Sequence, residues 1–276
     1  WSSTAGAGDE GDELNPETVS YMIDKSKMRE VYLIGTAHVS EASAEDVRRT
    51  IRITKPHGVM VELCAERAKR LLAGDDGRSP QDVVGELLRR LMQGNQVPGF
   101  GPELLLKLGF STFYAILRQC GLVPGTEFRV ALREANRLNL PVCLGDRSVD
   151  ETFSRLRVAM GNLSLERLMN APQPPAELMA MFGGISGAFG IPASVEALKN
   201  RKRIALARDY VSDFAPEVME VMVLERDHLM ADKLLTECRV GRTVAVVGMA
   251  HMDGIEEEWR RRGGEVFVHG DNSLRR

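Results

Sequence analysis

The feature that most constrains this chain is a pattern it carries twice. Val31 to Ser40 reads VYLIGTAHVS, an apolar, β-branched and aromatic run that stops at Gly35 and is followed by His38. Val244 to His251 reads VAVVGMAH and places Gly248 and His251 in the same relation. An unbroken apolar run is the pattern of a strand buried on both faces in a parallel sheet, whereas a strand with one solvated face alternates. A glycine just past the strand permits a tight turn or the close approach of another group. Each copy therefore predicts strand, turn and helix, with the histidine in the turn. Ligands of open α/β sheets bind outside the carboxyl ends of the strands, so neighbouring placement of the two strands would bring His38 and His251 together. Imidazole is the commonest metal ligand and the usual acid–base group near neutral pH.

Other stretches place carboxylates and arginines near further strand ends. Ser43 and Asp46 mark a helix start, and Val47, Ile51 and Thr54 continue one face of that helix until Pro56. Gly58 to Leu63, GVMVEL, reads as the next strand and is apolar except for Glu62. A carboxylate there needs a partner or a cation, and Arg67 on the following helix is the pairing alternative. In Gly125 to Leu138, helical spacing puts Phe128, Leu132 and Ala135 on one side and Glu127 and Glu134 about two turns apart. Pro141 to Leu144 is a short strand that ends in Gly145-Asp146-Arg147. Asp146 serves a metal or substrate, or caps the next helix and pairs with Arg147. Pro216 to Cys238 is a long helical candidate carrying the charge cluster Glu225-Arg226-Asp227-His228, either an exposed face or a polar face closing over a site. Glu265 to His269 reads as an edge strand.

The remaining segments are helical or polar. Gln81 to Leu122 reads as helix broken near Gly94 to Pro102, with apolar faces that suit the core. Val149 to Lys202 reads as helices broken at Pro172 to Pro175 and at glycines 183, 184, 187 and 190, which form neither GxGxxG nor a P-loop and so support no nucleotide site. Arg201-Lys202-Arg203 is a solvated helix end, or a contact for an anionic membrane surface.

With 276 residues, 43% hydrophobic and 27% charged, the chain suits one large domain, and a net charge of -3 gives no case for nucleic acid. Cys64, Cys120, Cys143 and Cys238 contain no CxxC pair and read as reduced, mostly buried thiols of an intracellular protein. Residues 1–28 read as a disordered lead-in, rich at first in Gly, Ser, Asp and Glu, and residues 29–276 as a single domain with helical insertions at about 81–122 and 149–238. Starting at Trp1, the chain reads as a processed or truncated piece, with any targeting signal or anchor lying outside it. The nearest approach to a membrane span, Phe100 to Val123, is interrupted by Glu103, Lys107 and Arg118.

GTAH at 35–38 and GMAH at 248–251, taken in order with VELC at 61–64, GTEFRVALREA at 125–135, LGDR at 144–147 and ERD at 225–227, resemble the TraB family. That family includes TraB-domain proteins of eukaryotes and bacterial pheromone-shutdown proteins, and is related to the TIKI metalloproteases. The resemblance covers most of residues 30–260 and implies an α/β fold: a mixed, mainly parallel central sheet flanked by helices with a large helical insertion. Folds of this kind also occur in the haem-uptake lipoprotein ChaN and the erythromycin esterases. It also implies a metal site of His38, His251 and Glu62 for a divalent ion, Mn, Co or Zn, because the corresponding residues are the proposed metal site of TIKI proteins. Arg67, Glu127, Glu134, Asp146, Arg147, Glu225 and Arg226 carry over as pocket candidates.

The function implied is a metal-dependent, peptidase-like hydrolase acting on a peptide or small molecule, with Glu127 or Glu134 as general base and Arg147 or Arg226 stabilising an oxyanion. The HExxH helix of familiar zinc peptidases is absent from the sequence. The alternative is a non-enzymatic organelle-membrane tether or regulatory binding module. Eukaryotic relatives are associated with the mitochondrial outer membrane, commonly through a carboxyl-terminal anchor that would lie outside these residues, and plant members with organelle contacts and autophagy. The implied location is the cytosolic face of that membrane, with chloroplast or cytoplasm as alternatives.

Overall fold

Residues 244–247 form the centre of the sheet, and all four side chains are fully buried. The computed structural model describes residues 14–15, 17–36, 41–74, 126–162, 200–238 and 240–268, with short stretches between 166 and 178. In chain order the elements are β1 (Val19–Asp24), β2 (Arg29–Thr36), α1 (Glu41–Thr54), β3 (Gly58–Val61), α2 (Ala65–Leu72), α3 (Thr126–Arg137), β4 (Val142–Leu144) and α4 (Val149–Gly161). There follow α5 (Arg201–Phe214), α6 (Pro216–Met219), a π-helical turn (Glu220–Leu224), α7 (Glu225–Thr236), β5 (Gly241–Gly248), α8 (Met249–Arg261) and β6 (Glu265–Val268).

The six strands form one sheet in the order β4-β3-β5-β2-β1-β6. Strands β4, β3, β5 and β2 run parallel, while β1 is antiparallel to both β2 and β6. Alternate strand residues feed two cores. Val31, Leu33, Met60, Ala245 and Val247 pack against α5, α7 and α8. Ile34, Val59, Val61, Val244 and Val246 pack against α1, α2 and α3. Full burial of each Val, Leu, Ile or Met among them contributes about 1.5–3 kcal/mol, so the continuous apolar runs specify a sheet covered on both faces. The result is the mixed, mainly parallel α/β architecture expected.

Two expectations change. Residues 19–24, assigned on composition to a lead-in ending at 28, are strand β1: Met22 is fully buried, and the strand pairs along its length with β2. Arg201, read as part of a solvated helix end, turns inward to Asp253 and Glu256, whereas Lys202 and Arg203 are exposed. The predicted helices of 81–122, the glycines at 183–190 and Cys120 lie outside the described residues.

Candidate functional site

The parallel strands β2, β5, β3 and β4 end on the same side of the sheet, and their ends meet a buried charge network. β2 and β5 are neighbours in register, with Gly35 opposite Val247 and Thr36 opposite Gly248. The two copies of the motif therefore sit side by side. His38 itself lies outside the described residues. His251 occupies the first turn of α8, not a loop, because the helix begins directly after Gly248. Gly35 has a steric role: a Cβ there would come within 2.1 Å of Met252 Sδ and 2.8 Å of Met249 Sδ.

Glu62 follows the last residue of β3 and is fully buried. Its Oε2 accepts from the Gly248 N–H at 2.6 Å, at the positive end of α8. Its Oε1 is bound by the guanidinium of Arg226. Arg226, also fully buried, donates from Nε to Asp146 Oδ1 (3.1 Å), from Nη2 to Asp146 Oδ2 (3.0 Å) and from Nη1 to the Met222 carbonyl (3.0 Å). Arg67 donates to Asp146 Oδ2 at 3.1 Å and to the Glu62 main-chain oxygen at 3.5 Å. The carboxylate of Glu62 thus finds Arg226, not the sequence-local Arg67, as its guanidinium partner. Burial pulls Arg67 below its ordinary arginine value, against the opposing pull of Asp146 and Glu62. Asp146 accepts from the Arg147 N–H at 2.9 Å, and Ser148 takes the capping role for α4 by accepting from the Glu151 N–H at 3.1 Å.

His251 is the chemically distinctive group. Its Nδ1 donates to Asp227 Oδ1 at 2.6 Å. Its Nε2 lies 3.3 Å from Glu62 Oε1 but has no aligned hydrogen-bond partner among the described residues. Burial pulls the imidazole pKa down, yet the charges of Glu62 and Asp227 outweigh it and hold the value at about 9. Asp227 is shifted upward by burial, with His251 and Arg208 opposing. Arg208 of α5 contacts Asp227 Oδ2 at 3.4 Å and donates to the Ala250 carbonyl at 2.8 Å. Gly254, one turn along α8, makes room for this carboxylate: a Cβ there would stand 1.9 Å from Asp227 Oδ2.

Glu127, in the first turn of α3, is fully buried, and Thr36 Oγ1 at the end of β2 lies 3.4 Å from its Oε1. Thr36 is opposite Gly248, which donates to Glu62. Glu127 and Glu62 therefore converge on facing residues of β2 and β5. Glu134 does not join them and pairs with Arg137 at 2.7 Å. Arg147 binds Glu225, the Val221 carbonyl and Thr152. Glu225 also accepts from Arg155 at 3.3 Å. Arg147, Arg155, Arg208, Glu225 and Asp227 line a charged groove of about 630 Å³. The structure thus gathers Glu62, Arg67, Asp146, Arg226 and His251, keeps Glu127 adjacent, and sets Arg147, Glu225 and Glu134 apart.

Asp227, Arg208 and Thr36 are site residues that the sequence did not single out. Asp227 had a signal, since it belongs to a dense charge cluster on a segment otherwise suited to burial. Arg208 had none, being one arginine among several on α5. No group of three or more His, Cys, Asp or Glu able to hold a metal ion occurs among the described residues.

This combination of a mainly parallel sheet and a buried histidine, carboxylate and arginine network at its carboxyl edge defines an α/β protein with a polar centre built into the strand ends. No family model matches the chain. Among curated proteins it is 30% identical to a human TraB domain-containing protein and 28% identical to the bovine protein of that name, in each case over 88% of this chain and 66% of the relative. It is also 30% identical to an uncharacterized protein of Methanocaldococcus jannaschii, over 82% of this chain and 52% of that protein. The chain belongs to the TraB-domain family, and it spans about two thirds of the length of its mammalian relatives.

Proposed function

We propose that the chain is a metal-dependent hydrolase of peptidase type, in which Glu62 and His251 hold a divalent ion, Mn, Co or Zn, together with His38. One observation carries this reading: His251 is tied through Nδ1 to Asp227, while Nε2 has no aligned partner among the described residues and faces a Glu62 oxygen 3.3 Å away. Metal-binding imidazoles usually donate their other ring N–H to a carboxylate in this way, which fixes the tautomer and raises ligand basicity. The doubled motif and the pairing of β2 with β5 support including His38, which lies outside the described residues. When bound, the ion supplies Lewis acidity toward a water nucleophile and a scissile carbonyl.

The chain's own residues have separate tasks. Asp227 keeps the His251 proton on Nδ1. Glu127, beside the end of β2, takes the proton from the attacking water as general base. Arg226 and Arg67 offset the charge of Glu62 and Asp146 and hold both carboxylates in place. The test is a peptide-hydrolysis screen with protein purified without chelator. Turnover is expected to be lost on chelation, restored by one of the three metals, and reduced about 100-fold or more in Glu127→Gln with metal content unchanged.

One observation favours the second reading, a binding or tethering module acting at the cytosolic face of the mitochondrial outer membrane. Arg226 already occupies Glu62 Oε1, so a cation must share that carboxylate with a guanidinium. Absence of turnover with every metal and peptide would support the module. No helix among the described residues is long and apolar enough to cross a membrane.

A further inference from the structure

Two thiols away from the strand-end site adjoin one another. Cys143 lies in β4 opposite Met60 of β3, and Cys238 follows the last turn of α7. Lys233 of α7 donates to the Leu144 carbonyl at 2.7 Å, which lays the end of the helix along β4. Arg29 donates to the Leu234 and Cys238 carbonyls and fixes the chain as it leaves the helix. Cys143 packs against the apolar cluster that contains Cys238, and each thiol influences the titration of the other. Both are free thiols; Cys238 is buried and Cys143 only partly so. An oxidant therefore meets Cys143 first.

The same contact separates the two sulfurs chemically. The Cys238 side chain, against some opposition from burial, moves the Cys143 thiol below its ordinary value, with Lys233 assisting. The Cys238 thiol moves up, through the influence of Cys143 and through burial. The thiolate is the reactive form toward oxidants.

We propose that Cys143 and Cys238 form a peroxide-sensitive dithiol, with Cys143 as the attacking thiol and Cys238 as the resolving one. Cys143 sulfur attacks one oxygen of hydrogen peroxide. The S–O bond forms, the O–O bond breaks, and the departing hydroxide takes a proton to become water. Cys143 is then a sulfenic acid. Cys238 sulfur attacks it; the S–S bond forms, the S–O bond breaks, and the hydroxyl leaves as water with the Cys238 proton. Two thiols and one peroxide give one disulfide and two waters. The link joins the strand that leads into Asp146 to the helix that begins with Glu225, Arg226 and Asp227, so oxidation clamps the two carriers of the buried network together.

The test is intact-mass analysis and peptide mapping of the full chain after hydrogen peroxide treatment. Wild type is expected to lose about 2 Da reversibly with dithiothreitol, in a peptide joining Cys143 to Cys238, and to melt at a higher temperature when oxidised. Cys238→Ser is expected to accumulate a dimedone-reactive sulfenic acid at Cys143, and Cys143→Ser to form no such adduct at Cys238. A disulfide involving Cys64 or Cys120 instead, irreversible oxidation without a link, or no reaction would overturn the proposal. None of these readouts depends on metal binding or hydrolysis.

Discussion

Two ionic clusters in this molecule, one partly exposed and one buried, use similar components to different ends. On the flank where α5 meets α8 and β1, Arg201 donates to Glu256 at 2.7 Å and to Asp253 at 2.5 Å, and contacts Ser20 Oγ at 3.3 Å. Ser20 Oγ in turn donates to Glu256 at 2.5 Å. One guanidinium, two carboxylates and one hydroxyl close on themselves. At the strand ends, Arg226, Arg67, Glu62 and Asp146 form a comparable lattice, but an imidazole is wedged between Glu62 and Asp227 with Nε2 lacking an aligned partner among the described residues. Networks of paired charge are thus common to architecture and site. What distinguishes the site is an imidazole nitrogen, His251 Nε2, with no aligned hydrogen-bond partner among the described residues.

The largest expected effect comes from breaking the strand-end lattice. Arg226→Met leaves Glu62 and Asp146 facing each other without their main cation, and chemical denaturation should show a loss of about 3–5 kcal/mol. Adding Glu62→Gln should recover part of that loss; strict additivity would mean that the two groups are not coupled.

Next comes Gly254→Ala, which drives a Cβ to within 1.9 Å of Asp227 Oδ2 unless the helix shifts. A destabilisation of about 1–3 kcal/mol is expected. Metal affinity should fall about 10–100-fold, through lost support of His251. Unchanged affinity would remove Asp227 from the account.

The pH dependence of the metal-free protein sharpens the contrast further. His251 titrates near 6.5 when unfolded and at about 9 when folded. The native state therefore binds the extra proton, and its stabilising contribution is complete below about pH 6.5 and lost as pH rises to about 9. The slope is at most about 1.4 kcal/mol per pH unit. Comparing wild type with His251→Gln across that window isolates it; identical slopes would contradict the assignment.

Ser20→Ala supplies the smallest effect. Glu256 keeps Arg201 as a partner, so the loss should be about 1 kcal/mol with metal affinity unchanged. A change in affinity would erase the distinction between the clusters.

Much of the fold could be read from the chain because parallel strands advertise themselves. The runs at 31–36 and 244–247 are largely buried; β3, β4 and β6 fall within the predicted stretches, while β2 and β5 begin two and three residues before theirs, at Arg29 and Gly241. β1 escaped because VSYMID alternates burial at an outer part of the sheet and follows a Gly- and Asp-rich start. The site was legible where a polar residue interrupts an apolar run, as at Glu62, or ends a strand, as at Asp146. Partner choice was not. Arg67 is five residues from Glu62, yet Arg226, 164 residues away, takes the carboxylate because the π-helical turn and α7 bring it over the strand ends. Helical spacing placed Glu127 and Glu134 about two turns apart on α3 but could not show that only the first faces the sheet ends. Pairing across the fold depends on topology, which local periodicity does not encode.

The most direct test of the central claim is calorimetric titration of Mn, Co and Zn into chelator-treated protein, comparing wild type with His251→Ala and Glu62→Gln. The account predicts one equivalent of at least one metal bound by wild type, and loss of that binding in each variant with helical content retained by circular dichroism. Wild type that binds none of the three, or variants that bind with unchanged stoichiometry and affinity, would contradict it.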